Sequence, residues 1–288
     1  APRRLDQKDA QYDSKAFHLV LLAKNLTGYQ NLLKLTTIAN LEGFYYRPSI
    51  AKETLARHAE AAGAELREGS TVTGPIMDER SGRIVGVTVR PSNPDGSRGT
   101  PYEQRAPVVI DAGGVAARIA TAVGIEKDEN RPMGVAVRTY FEAPRHDDEW
   151  MESQLELWDG PKEASNLLPG YGWIFALGDG TVNVGLGSVS STAKATKLDY
   201  KELFRTWMRN APESWEFTEE NQVGELRSAA LPMSFNRQPL YHRGLMLVGD
   251  SGGMVSPFNG EGIAPALMAG RLAAESIAQS LARANGYG

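Results

Sequence analysis

Residues 245–278, LMLVGDSGGMVSPFNGEGIAPALMAGRLAAESIA, carry an unbroken apolar run into a glycine-rich turn and out again into a helical pattern. Leu245–Val248 has no polar alternation, the pattern of a parallel strand covered on both faces. It stops at Gly249-Asp250, which leaves the aspartate at a strand's carboxyl end. From Gly252 to Gly262 there are four glycines and Pro257, a composition that lets the backbone approach a ligand closely and stops any regular element from continuing. A helix follows. Its N-terminus carries roughly +0.5 of an elementary charge on unpaired N–H groups, a ready site for an anion. The order strand, turn, helix suits a ligand with hydroxyls and partial negative charge.

Composition sets the outer limits. At 288 residues with 41% hydrophobic side chains the chain can build a real core in roughly two domains. Net charge is −4 with both signs dispersed, so neither a nucleic acid nor an anionic lipid surface is implied as partner. Without cysteine there is no disulfide, thiolate metal site, iron–sulfur cluster or cysteine nucleophile, and the cytosol is the default compartment. The most apolar helical pattern carries Arg271 and Glu275 in its middle, so membrane contact is at most peripheral. His18, His58, His146 and His242 lack metal-ligand spacing and read as surface or core residues; no metal site is expected.

Along the chain, FHLVLLAKN reads as a strand and TGYQNLLKLTTIANLEG as a helix; KETLARHAEAA is a second helix that Gly63 ends. The runs AELREGSTVTG, RIVGVTVRP and VVIDAGG, separated by turn-rich segments, predict a three-stranded meander. From Pro132 to about Met233 short strands dominate, GVAVRTYFE, GYGWIFAL and TVNVGLG among them, with one amphipathic helix over Tyr200–Arg209. These predict an antiparallel-sheet domain inserted into a discontinuous α/β domain. Tyr171, Trp173 and Phe175 alternate, so they share one side of their strand. They line a cavity or a plain core, and the pattern does not choose. Val182, Val184 and Leu186 on the next strand are expected to join them in one continuous apolar face.

From about Leu55 to Ala284 the chain resembles the geranylgeranyl reductase family of FAD-dependent oxidoreductases. Three matches carry this: GDSGGMVSPFNGEGIAPALMAGRLAAE, similar to that family's second flavin signature; GYGWIFALGDGTVNVGLG, similar to its YxWxFP substrate hairpin with Ala176 in place of the proline; and VVIDAGGVAARIATAVGI, similar to the strand and turn beneath the nucleotide. The resemblance implies a p-hydroxybenzoate hydroxylase-like flavoprotein fold, α/β with an antiparallel-sheet substrate domain over residues 132–237 and an FAD domain split between 51–131 and 238–288. It implies FAD as cofactor, with Asp250 on a ribityl or ribose hydroxyl, Gly262 and Ile263 at the flavin-contacting helix start, and Gly249, Gly252, Pro257, Gly260, Glu261, Ala112 and Gly114 around it. Arg47 matches the family's arginine. Glu261, at a helix start, is a charge match for the dipole and a cofactor contact. Tyr171, Trp173 and Phe175 are the implied substrate residues; no catalytic residue is assigned. The implied reaction is saturation of double bonds in a small apolar isoprenoid of geranylgeranyl or menaquinone type. Another flavoprotein of this fold, an aromatic hydroxylase or electron-transfer dehydrogenase, or a non-catalytic chimeric fragment are the alternatives.

Two departures accompany the resemblance. The strand–GxGxxG–helix unit with which the family grips adenosine is absent from the sequence, as is a separate nicotinamide site, since AGGVAAR lacks the third glycine and the acidic residue. The family's closing helices beyond Gly288 are also missing. Residues 11–58 instead closely resemble part of the PHP domain of bacterial DNA polymerase III alpha subunits, without its HxH metal motif. The expected organisation is a PHP-like fragment over 1–50 in place of the nucleotide unit, joined to the flavoprotein at a seam near Arg47–His58.

Overall fold

The computed structural model describes residues 44–45, 47–48, 52–93, 95–168, 170–189 and 198–284. The strand and helix expected before Gly43 lie outside them. Along the chain the main elements are helix α1 (Lys52–Ala61), strands β1 (Ser70–Met77), β2 (Ile84–Pro91), β3 (Tyr102–Arg105) and β4 (Val109–Asp111), helix α2 (Arg118–Ala122), strands β5 (Met133–Glu142), β6 (Met151–Gln154), β7 (Gly170–Ala176) and β8 (Thr181–Val189), helix α3 (Tyr200–Arg209), strands β9 (Gln222–Pro232), β10 (Tyr241–His242) and β11 (Leu245–Leu247), and helix α4 (Ile263–Ala284). The described residues fall into two compact units. One gathers those up to Asp128, Phe235–Ser256 and Glu261 onward; the other holds Glu129–Ser234 and Pro257–Gly260. Among the described residues no helix is long and apolar enough to cross a membrane.

In the first unit α1 ends before Gly63, whose φ of +88° is the left-handed geometry that closes a helix cheaply only at glycine. An antiparallel sheet β1-β2-β3 follows. Its third strand corrects the expected meander: it is the polar, mostly exposed YEQR, which has no hydrophobic alternation to read, and not VVID. Val109–Asp111 pairs in parallel with β11, Leu245 opposite Val109 and Leu247 opposite Asp111. The apolar strand found a partner far away in sequence because two buried apolar strands satisfy each other's backbone out of water. Around this pair Ile84, Ile119, Ala120, Ile125, Leu245 and Leu247 make the core of the unit.

The second unit is built on a five-stranded antiparallel sheet ordered β9-β5-β8-β7-β6. Its register decides which side chains share a face. Phe141, Val182 and Ala176 align across β5, β8 and β7, as do Thr139, Val184 and Ile174, and Val137, Leu186 and Gly172. That face is buried under α3, which sends Leu203, Phe204 and Trp207 into it. Each such side chain is worth about 1.5–3 kcal/mol when fully withdrawn from water. A Cβ on Gly172 would lie 2.3 Å from Trp207 Cζ2; the missing side chain is what lets the indole lie on the strand. Asp199 caps α3, its Oδ1 accepting from the amides of Lys201 (2.9 Å) and Glu202 (3.1 Å).

The same register overturns the expectation of one continuous apolar face on the β7–β8 hairpin. Tyr171, Trp173 and Phe175 stand opposite Gly187, Gly185 and Asn183, not opposite the valines and leucine. Val182, Val184 and Leu186 point into the core and are fully buried, while the three aromatics occupy the other side and are half-buried. Alternation within each strand was read correctly, but the offset between strands is a property of their pairing.

Candidate functional site

The turn after β11 is built from backbone that only glycine adopts without strain. Gly249 (φ +60°) and Gly253 (φ +67°) bracket a 3₁₀ turn over Gly249–Gly252. A Cβ on Gly249 would lie 3.1 Å from Ala266 Cβ, and one on Gly253 would meet Asn236 Oδ1 at 2.2 Å. The turn is thus pressed against the first turns of α4. The chain loops out and returns with the amide of Ser256 donating to the carbonyl of Glu261 (2.8 Å). Asp250 is half-buried, and its Oδ1 lies 3.4 Å from where a Cβ of Gly262 would be, beside Val255. A carboxylate and a residue without a side chain therefore meet where α4 opens at Ile263.

A second aspartate, not singled out from the sequence, supports this turn. Asp111 ends β4 as Asp250 follows β11, and it is 5% exposed. Its carboxylate accepts from the amides of Gly113 (2.9 Å), Ile119 (3.2 Å) and Ala120 (3.2 Å) and from Ser251 Oγ (3.1 Å). Buried charge is tolerated because both carboxylate oxygens have donors. Ser251, 0% exposed, bolts the glycine turn to the loop that holds Ala112 and Gly114, the latter buried with φ +72°. The signal for Asp111 was present: VVID repeats the apolar-run-then-aspartate pattern of LMLVGD.

In the second unit the face away from α3 carries the aromatic ladder. Ring centroids are 6.0 Å apart for Tyr171 and Trp173 and 6.3 Å for Trp173 and Phe175. Trp173 lies down over β8: a Cβ on Gly185 would be 2.2 Å from its Cζ2. Its Nε1–H donates to Asn183 Oδ1 (2.8 Å), so an indole that is only half-buried is nonetheless held in one orientation. Tyr171 donates from its hydroxyl to the carbonyl of Asn259 (2.7 Å).

The residues singled out from the sequence are therefore distributed. Gly249, Asp250, Gly252, Glu261, Gly262 and Ile263, with Ala112 and Gly114, belong to the first unit; Pro257 and Gly260 belong to the second, in the loop segment that Tyr171 anchors. Glu261 is exposed, as expected of a charge at a helix start. Arg47 lies in a two-residue strand, Arg47–Pro48, paired with Phe44–Tyr45. Asn183 and Gly185 of the aromatic face were missed, because each acquires its role only from the residue it meets across the sheet.

The model of the FAD dependent oxidoreductase family matches residues 42–276, and the PHP domain model matches residues 5–78. Menaquinone reductase of Mycobacterium tuberculosis is 34% identical over 232 residues, 80% of this chain and 53% of that protein. Digeranylgeranylglycerophospholipid reductase of Methanocella arvoryzae is 30% identical over 244 residues, 84% of this chain and 56% of that protein. The chain thus spans about half the length of these curated relatives. Among solved structures, a geranylgeranyl bacteriochlorophyll reductase-like protein of Thermoplasma acidophilum superposes with a TM-score of 0.63 at 24% identity, over 82% of this chain and 54% of that one. The myxobacterial chondrochloren halogenase gives 0.58 at 23%, over 80% and 51%. At these identities the two structures establish the fold alone.

Proposed function

This chain belongs to the FAD dependent oxidoreductase family, and from that membership we propose that it acts in the flavin-dependent saturation of isoprenoid double bonds. The observation that carries the substrate class is the aromatic ladder. Tyr171, Trp173 and Phe175 are excluded from the core by register, yet Trp173 is fixed by a hydrogen bond and by a glycine beneath its ring. An oriented apolar surface outside the core suits a long apolar ligand. The relatives named for menaquinone and for digeranylgeranylglycerophospholipid support the same class.

The glycine turn fits one side of the cofactor. Gly262 leaves the space beside Asp250 that a side chain would fill, Asp250 is the residue we assign to a sugar hydroxyl, and the N-terminal end of α4 favours negative charge. Asp111 and Ser251 hold that backbone in place. When bound, FAD supplies the hydride chemistry; the residues here bind, orient and stabilise charge.

The test is optical and direct. Purified protein titrated with FAD and with FMN should shift the flavin spectrum in both cases, because the turn and the start of α4 are assigned here to the flavin and ribityl part that the two share. Asp250→Ala should weaken both by about 1–3 kcal/mol, the loss of a charge-assisted hydrogen bond. Identical titrations of variant and parent would remove Asp250 from the site.

A further inference from the structure

The five-stranded sheet of the second unit ends in two edge strands that differ in kind. β9 has the features that keep an edge from pairing with another chain: its register with β5 shifts between Val223 and Arg227, and Gly224, Glu225 and Arg227 are exposed there. β6 has none of them. It pairs with β7 without a shift, Ser153 opposite Trp173 and Met151 opposite Phe175, and among the described residues no strand pairs with its other side. It contains no lysine, arginine or proline. Large apolar side chains line and flank it: Trp150 and Leu155 are 73% and 77% exposed, and Met151 is exposed as well. Its one charge, Glu152, lies on the core side opposite Ile174 and is already matched by Arg145 at 2.8 Å. An open edge with exposed apolar residues is a template for a further strand.

The sequence of that edge selects the strand it fits. Around Ser153, Met151-Glu152-Ser153-Gln154-Leu155 has the same pattern in both directions: apolar, polar, serine, polar, apolar. Paired antiparallel with itself about a two-fold axis through Ser153, it sets Met151 of each copy opposite Leu155 of the other, and Glu152 opposite Gln154. Such an axis permits only slips that keep each side chain on its own face of the sheet. Both neighbouring registers then bring like charges together, Glu152 against Glu152 in one and Glu152 against Glu156 in the other, which is destabilising. We propose that this edge docks a second copy of the chain, β6 on β6 about Ser153. The two five-stranded sheets become continuous, with the Tyr171, Trp173 and Phe175 ladders of both copies on one side. The proposal uses neither the flavin nor the isoprenoid reading. A ladder this short buries less than the about 1,200–2,000 Å² of a stable interface, so the dimer is weak and concentration-dependent.

Sedimentation velocity of the full chain should show monomer passing to dimer over about 10–100 μM. Met151→Lys/Leu155→Lys sets lysine against lysine twice in this register and should weaken the association about tenfold or more. Met151→Lys/Leu155→Glu sets lysine against glutamate twice and should return it to within about threefold of the parent. Both side chains are exposed, so the circular dichroism and melting temperature of each variant should match the parent's. Hydrogen exchange should protect the amides of Met151–Gln154 more at high than at low protein concentration. A parent that stays monomeric at about 300 μM overturns the dimer; if it then sediments with phosphatidylcholine vesicles and the double-lysine variant does not, the edge belongs to a lipid surface instead. Association unchanged in the double-lysine variant overturns the edge as the docking site. Association lost in that variant and not recovered by Met151→Lys/Leu155→Glu overturns the pairing about Ser153.

Discussion

Two tryptophans on opposite faces of one sheet show how position decides the consequence of the same side chain. Trp207 is 6% exposed and rests on Gly172 within the core, so Trp207→Ala should cost about 3–5 kcal/mol in a denaturant titration. Trp173 is half-buried on the other face, so Trp173→Ala should cost distinctly less and appear instead as weakened prenyl binding. If Trp173→Ala unfolds the protein while prenyl affinity is unchanged, the cavity role of this residue is wrong. Gly185→Ala is the complementary probe. Its Cβ would lie 2.2 Å from the Trp173 ring, and because that ring borders open space it can swing away. The expected result is loss of the Trp173–Asn183 hydrogen bond and of ligand affinity, with a small change in melting temperature. The aromatic alternation was legible from residues 171–175. The glycine beneath the indole and the asparagine that holds it were not, since nothing in a single strand indicates which residue of the next one it will oppose.

At the scale of elements, α3 was legible to its ends. Its apolar spacing buries Leu203, Phe204 and Trp207, and Asp199 supplies the amide acceptor that such a helix start requires. Asp199→Ala should cost about 1 kcal/mol by chemical denaturation. Near β6, Arg145 bridges Asp148 (2.7 Å) and Glu152 (2.8 Å) and stacks 4.5 Å from the Trp215 ring centroid. Burial pushes the Glu152 carboxyl up, but hydrogen bonds from Gln154 and Arg145 outweigh it and hold the group below its ordinary range. A lowered carboxylate stabilises the fold above its unfolded value, about 4.3, and that contribution disappears as pH falls through the folded value. Glu152→Gln should therefore be less stable than the parent at about pH 6, and the gap in denaturation midpoint should close on acidification to about pH 3. A gap independent of pH would mean that the pair contributes through packing alone. This cluster was invisible in the sequence, where Arg145, Asp148 and Glu152 sit in a stretch of mixed charge without periodicity.

For the molecule as a whole, the strand that opens the flavin signature is paired with one laid down before the entire antiparallel sheet. Leu245 is 0% exposed at the centre of the first unit's core, and Leu245→Ala should cost about 2–5 kcal/mol. In hydrogen exchange it should release the amides of Val109–Asp111 together with those of Leu245–Leu247, because they are one parallel ladder. Protection lost at β11 alone would contradict that pairing. What the sequence determined by itself was local in origin: the apolar run broken by Gly249-Asp250, the glycines and proline that force a turn, the 3.6-residue spacing of α3, and the alternation of Tyr171, Trp173 and Phe175. Each follows from propensity or period within a short window. Only the tertiary structure decided that YEQR and not VVID closes the meander, that Asp111 and Ser251 lock the glycine turn, and that Ser153 stands opposite Trp173 on an edge strand. These depend on which segments meet and in what register, and strand pairing chooses partners by total burial and backbone satisfaction over the whole chain, information that no single segment contains.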